Sequence, residues 1–437
     1  MIRKSSCTKS ETGHDRFLVN EPPVQPVFLL PASFDPIELL RKPLHKFADD
    51  ARYLASTILR KTARGQADDF GFVPLRAEYL RRIISERRGR DVIQSLLDAE
   101  AIHRRPYQVG VTAFSYRLGD RYLNDPHIRL PIANKRLLRN LERHAAGCRE
   151  EADRRMKPIH VTLASLQHGL EIDAMESKAV LTTLPSESNP FDVQGIMVQD
   201  IIDRRFRLSV GDYGRVANSI TSMKREIRQA LRCAGMPLAG VDITCAQPCL
   251  LSLLIRFYQK NVTSYIATPW LPLLPPVVPC SSFALFSAAC LSGELYGILV
   301  MRLRDAGVVW SRDKVKKRFL ADVLAKKKAS TAGAEYPSVI EDVFKAEFPG
   351  VWRFIRDVNQ DGWEHARLIR LLQQLEAWLV IEQVCGRFVQ RYPGEFVITI
   401  HDAAYCRPEM LGALTESFED AFSMLDFRPQ LKVEGER

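Results

Sequence analysis

Glu395-Phe396-Val397-Ile398-Thr399-Ile400-His401-Asp402-Ala403 begins as a strongly β-prone run and ends on a histidine and a carboxylate before turning into Ala403-Ala404-Tyr405. A second run of the same kind lies far upstream, Gly240-Val241-Asp242-Ile243-Thr244-Cys245-Ala246-Gln247-Pro248, with one Asp among hydrophobic residues and an apolar helix, Cys249 to Tyr258, behind it. A carboxylate placed among strand apolars is costly unless it is hydrogen-bonded or holds a cation. Each Asp alone reads more readily as a turn or cap residue. Two strands that bring one Asp each to the same end of a sheet can bridge a pair of divalent cations about 3.5–4 Å apart. Between the two runs lies Ser311-Arg312-Asp313-Lys314-Val315-Lys316-Lys317-Arg318-Phe319, a basic helix in which Arg312 and Lys316 share a face at i, i+4. That face suits a triphosphate, with Phe319 nearby to stack on a base; by itself the same helix reads as a solvated charged surface.

Composition sets the frame. The chain has 437 residues, 46% hydrophobic and 26% charged, which are globular values and exclude wholesale disorder or a coiled-coil rod. Its 62 Lys and Arg exceed 52 Asp and Glu to give a charge of +10, which favours a polyanionic partner. The 9 cysteines form no CxxC pair, which argues for a reducing, cytoplasmic setting and against a zinc ribbon or disulfide framework. The N-terminal residues are polar, without the apolar core of a secretion signal. Ile266 to Gly293 carries no charge, but Pro269, Pro272, Pro275, Pro276 and Pro279 interrupt it, and no membrane association is expected.

Residues 1–33 read as a flexible arm, ending in the Pro-rich Glu21-Pro22-Pro23-Val24-Gln25-Pro26 stretch. Within 34–125, a helical run Arg76–Ile84, a polar turn, a second run Arg90–Leu97, and the strand-like Ala101-Ile102-His103, Tyr107–Gly110 and Ala113–Leu118 follow the order of a winged helix-turn-helix. Eight arginines between Arg76 and Arg105 face five acids there, the composition of a duplex-binding face or of an ordinary solvated helical subdomain. Residues 126–200 are helical and basic and end in the turn formers Leu184–Pro190.

Taken in order, several segments resemble the palm and fingers of family A DNA polymerases and, more distantly, the single-subunit phage RNA polymerases. Tyr213-Gly214-Arg215-Val216-Ala217-Asn218-Ser219 and Lys224-Arg225-Glu226-Ile227-Arg228-Gln229-Ala230 look like that family's TGR segment and the RxIRxAF that follows it. Val241-Asp242 to Gln247 takes the place of DYSQIE, Glu294-Leu295-Tyr296 that of the element before the fingers helix, and Arg312 with Lys316 that of its R-x3-K. Leu371-Leu372-Gln373-Gln374-Leu375-Glu376-Ala377-Trp378 is similar to the QGTAAD helix, and His401-Asp402 to the HD of VHDE. The resemblance spans about residues 205–410.

It implies an α+β fold class: a mostly helical chain with a winged-helix-like N-terminal region, a thumb-like helical segment at 126–200, and at 201–437 a right-hand palm on an antiparallel sheet with helical fingers. It further implies that Asp242 and Asp402 are catalytic and bind two Mg²⁺ ions, with Mn²⁺ as a substitute and the main-chain oxygen of Ile243 as a third ligand. Arg312, Lys316, Phe319 and Gln247 then meet the nucleotide, while Arg215, Arg228, Gln373 and His401 meet the nucleic acid. The chemistry is in-line attack by a 3′-hydroxyl on the α-phosphate of a nucleoside triphosphate, on a DNA template-primer. The implied protein is a monomeric replication enzyme of a phage, plasmid or other mobile element.

The pattern is departed from at defined places. Gln247 stands where the family has Glu, which leaves the choice between deoxyribose and ribose open; Ala403 replaces the Glu after the second Asp; Phe319 falls one residue short of K-x3-F; and Glu376 stands for an Asp. Residues 1–200 show no strand-borne DxE, so no proofreading exonuclease is expected. Two other readings compete: a DNA-binding replication or regulatory protein whose polymerase-like region is inactive, and an enzyme that makes RNA as a primase or RNA polymerase does.

Overall fold

The computed structural model describes residues 26–68, 70–106, 114–185, 189–259, 281–327 and 337–435. It combines helices and antiparallel sheets, and the chain divides into two compact units. One comprises residues up to Gly211 together with Val216–Leu238; the other comprises Asp212–Arg215 and Ala239–Arg437. Most of 201–238, grouped with the C-terminal region in the sequence reading, therefore packs with the first unit, and Arg215 with the second.

The first unit is organised around the helix Ala48–Ala63, whose Leu54, Ile58 and Leu59 are fully enclosed. Its Ser56 Oγ accepts a hydrogen bond from Leu29 N at 2.9 Å, fixing the strand Val27–Pro31, which pairs antiparallel with His127–Pro131. At 73–118 the helices Ala77–Ile83 and Gly89–Asp98 are followed by the antiparallel strands Ile102–Arg105 and Ser115–Leu118, with Val73–Pro74 added to the outer side of the latter. Val92 and Leu96 of the second helix point into the core, which leaves Arg87 and Arg90 exposed at its N-terminal end. Arg105 is not a free surface cation: it pairs with Asp68 at 2.7 Å and lies over the rings of Phe70 and Phe72. Tyr107–Gly110 and Ala113 lie outside the described residues. The helices Lys135–Asp153, Pro158–Leu166, Ala174–Thr183 and Val193–Ile202 account for 126–200.

The second unit has a four-stranded antiparallel sheet in the order Val397–Ile400, Ala403–Cys406, Ala239–Ile243, Leu431–Glu434. Gly240 is opposite Tyr405, and a Cβ there would fall 2.4 Å from the tyrosine ring, so the ring occupies the space that any other residue at 240 would fill. The helix Ala246–Gln259 follows the strand Ala239–Ile243 and is buried over most of its circumference, as its continuous run Cys249 to Ile255 requires. The remaining helices include Ser281–Leu291, Leu295–Asp305, Arg312–Phe319, Val339–Glu347, Pro349–Val358 and Arg367–Ala377. Two of them continue as wider π turns, Leu320–Leu324 after Phe319 and Trp378–Cys385 after Ala377. Among the described residues no single helix is long and apolar enough to cross a membrane; Phe283–Leu291 and Leu295–Asp305 pass that test only together, bent by 119°.

Candidate active site

Asp242 and Asp402 meet at one end of the four-stranded sheet. Ile400 pairs with Ala403, so His401 and Asp402 are the two central residues of a tight hairpin rather than the end of a strand leading into a longer turn. His401 takes φ +55°, the left-handed sign that a two-residue hairpin loop demands. Asp242 is opposite Ala403 in the adjoining pair, and its carboxyl group is within hydrogen-bond reach of that of Asp402. Both groups are held well above the ordinary carboxylate range. Burial is the main cause for Asp242, followed by the charges of Asp402 and Glu434; for Asp402 it is burial, then Glu376. Two carboxylates this close cannot both shed their protons cheaply without a cation beside them.

The cations that face the pair come from three elements. Lys432, opposite Asp242 on the strand Leu431–Glu434, offsets part of its charge. Lys316 and Arg215 do the same for Asp402. Lys316 and Arg312 are exposed on the helix Arg312–Phe319, which Ser311 caps through a 3.3 Å hydrogen bond from Lys314 N. Arg312 donates to the carbonyl of Gly293 at 3.0 Å, and Cys245 Sγ to the same oxygen at 3.2 Å. Gly293 has φ +73°, and a Cβ there would strike Thr244 and Gln430 at about 2.5 Å, so only glycine lets this carbonyl approach the end of the strand.

Behind Asp402 is a buried polar cluster. Glu376 is 1% exposed; its Oε2 accepts from Arg215 Nη2 at 2.6 Å and from Gln247 Nε2 at 2.9 Å, linking positions 161 and 129 residues apart in sequence. Gln247 sits in the first turn of the helix Ala246–Gln259, which begins three residues earlier than the apolar run alone indicates. Gln247 Oε1, Glu376 Oε1 and Arg215 Nε are each buried without a hydrogen-bond partner among the described residues. Orphaned polar atoms of this kind are uncommon in a folded interior and mark places where water, an ion or a ligand completes the set.

Of the residues singled out in the sequence, Asp242, Asp402, Gln247, Arg215, Arg312 and Lys316 converge on this end of the sheet. His401 is exposed at the hairpin tip, Gln373 is half-buried one turn before Glu376, and Ile243 is the residue after Asp242. Arg228 belongs to the first unit, on the single turn Arg225–Arg228, with its Nε buried. Phe319 is corrected: it is fully buried, edge-on to Tyr296 at 5.9 Å and to Phe344 at 5.2 Å, and takes no part in the site. With Lys316 and Arg312 turned outward, Val315 and Phe319, at i+4 from one another, form the inner face of the helix. Phe319→Ala is expected to cost about 3–5 kcal/mol in urea unfolding, the loss of a packed core aromatic; a change confined to nucleotide affinity would restore the base-stacking role.

Sequence reasoning missed Lys432 and Glu434. The alternation Leu431-Lys432-Val433-Glu434 is their only signal, four residues long. No known family model matches the chain, and no curated protein matches it in sequence.

Proposed function

We propose that the second unit is a template-directed nucleotidyltransferase, a DNA polymerase without proofreading, working at Asp242 and Asp402. The observation that carries this reading is the meeting of two carboxylates, far apart in sequence, at one end of a sheet, faced by Lys316 and backed by Arg215. The resemblance to family A polymerases supports the same assignment. Among the described residues no three His, Cys, Asp or Glu side chains gather as a metal site, and Glu376 is tied to Arg215 and Gln247. Two carboxylates alone suit Mg²⁺, which takes one or two from protein and fills its remaining positions with water and substrate phosphates. Such ions, with Mn²⁺ as a substitute, would acidify the attacking 3′-hydroxyl and stabilise the departing pyrophosphate.

The chain's own contribution is placement and charge. Asp242 and Asp402 hold the reacting centre, and Arg312 and Lys316 receive the triphosphate as it loses the α–β bond. Gln247 and Arg215, both anchored on Glu376, face the sugar and the primer end. Lys316→Ala is expected to lower kcat/KM for the nucleotide about 10- to 100-fold, the worth of one charge-assisted phosphate contact, mostly through KM.

Primer extension on a primed DNA template with Mg²⁺, dNTPs and NTPs in separate reactions, tests the proposal. Extension with dNTPs is the expected result. Extension with NTPs alone would make this an RNA-synthesising enzyme and put Gln247 at the centre of sugar choice. Duplex binding by the basic helix-turn-helix and hairpin at 73–118, with no extension in either reaction, would favour a DNA-binding replication protein.

A further inference from the structure

The helix Arg312–Phe319 carries more cations than the two aspartates engage. Arg312 and Lys316 share one face, and Val315 and Phe319 are turned into the core. Lys314 and Lys317, at i, i+3, share a third face, and both are exposed. Neither forms an ion pair among the described residues. Asp313, the one acid on this helix, lies in its first turn, where the N-terminal end favours a carboxylate, and pairs with neither lysine.

An aromatic ring stands beside this face. Trp310 precedes the cap residue Ser311, and Lys314 Nζ is 4.5 Å from the centre of its ring. The indole is half-buried, so part of its surface remains open, and the neighbouring Val309 is 79% exposed. The loop that presents them is fixed at its start. Gly307, at φ +80°, closes the helix Leu295–Asp305: its amide donates to the carbonyl of Arg304 at 2.9 Å, and that of Val308 to the carbonyl of Leu303 at 2.8 Å. A solvated charged helix accounts for the two lysines, but not for an indole and a bare valine set next to them.

We propose that Trp310, Lys314 and Lys317 bind a single strand of nucleic acid, with Trp310 stacked on an unpaired base and the lysines on neighbouring phosphates. Cations that follow a backbone beside an aromatic that takes a base are what an unpaired strand requires; a duplex keeps its base faces inside the stack and gains nothing from the indole. The polymerase reading supplies only the identity of the strand, an unpaired template; the binding itself needs no catalysis.

The test measures binding of labelled oligo(dT), of oligo(U) and of a blunt DNA duplex with the same number of phosphates to the full chain and its variants, with thermal melts to check folding. Trp310→Ala is expected to weaken the single strands about 5- to 100-fold, the worth of one stacked base, and to leave the duplex unchanged. Trp310→Phe keeps a π-face and is expected to recover most of the loss. The double change Lys314→Gln with Lys317→Gln, at exposed positions, is expected to reduce the slope of log K on log salt for oligo(dT) by about 1.4, two phosphate contacts at about 0.7 each. The tighter of oligo(dT) and oligo(U) identifies the strand. A wild type that binds neither oligonucleotide, a folded Trp310→Ala chain that binds them as wild type does, or an equal loss on duplex and single strand overturns the inference. Should Trp310→Ala fail to fold, the double-lysine slope decides, and an unchanged slope overturns it. A chain that binds oligo(dT) through Trp310 but extends no primer keeps this face and loses the polymerase reading; one that extends primers with binding indifferent to Trp310 does the reverse.

Discussion

Asp402→Asn is expected to abolish primer extension, by about 10³-fold or more, and at the same time to make the metal-free chain more stable above neutral pH. The two effects have one cause. Asp242 and Asp402 are held together at the sheet end, and each carboxylate is harder to ionise in the folded chain than in the unfolded one. Between the ordinary carboxylate range and about 7 the folded state keeps a proton that the unfolded state releases, so stability must fall as pH rises across that window and level off above it. After allowance for partial exposure the fall amounts to about 2 kcal/mol. Asn at 402 removes one of the repelling charges, which flattens the profile, and under the proposed function it removes a cation ligand, which stops the chemistry. Thermal melts at a series of pH values, with and without Mg²⁺, check it: Mg²⁺ should restore the stability of wild type at high pH and leave the variant unmoved. A variant that extends primers at an undiminished rate would end the assignment of Asp402.

Glu376→Ala is expected to cost about 3 kcal/mol of stability. The buried carboxylate is the acceptor for both Arg215 and Gln247, and deleting it leaves a guanidinium and an amide facing a hole. Arg215 keeps some contact with solvent, 28% of its side chain, which holds the cost at the lower end of the range for a broken buried pair. Glu376→Gln should recover most of the stability, since an amide oxygen can still accept, while weakening the hold on Arg215. Urea denaturation separates the two variants. If Ala and Gln behaved alike, the cluster would owe its cohesion to packing and not to the shared acceptor.

Much of the site was legible in the chain because its signals are local. An Asp closing a run of β-branched residues, and two cations one helical turn apart, need only the periods of strand and helix to be read. Asp242, Asp402, Arg312 and Lys316 belong to that class. Glu376 does not: within its own helix it is one more charged residue, and its role comes from pairing with Arg215 and Gln247 across long stretches of sequence. Phe319 went the other way, because proximity to Lys316 along the chain says nothing of which side of the helix faces inward until Val315 is seen beside it in the core. The π turn after Phe319 leaves no composition signature, since it inserts a residue into a helix without changing what the residues are. The boundary at Leu238/Ala239 was equally hidden: Gly235, Pro237 and Gly240 flank it, a composition that marks a turn as readily as a change of unit.

The order of the four-stranded sheet bears on how the protein is born. The strand carrying Asp242 lies between Ala403–Cys406 and Leu431–Glu434, so both its neighbours are translated long after it. While the ribosome adds those residues, Ala239–Ile243 has neither hydrogen-bonding partner, and the pairings that complete the sheet span a large chain separation, the slow class of folding events. The nascent chain therefore carries this strand unpaired while the 160 residues from Ile243 to Ala403 are added, and the sheet end that brings Asp242 to Asp402 forms late.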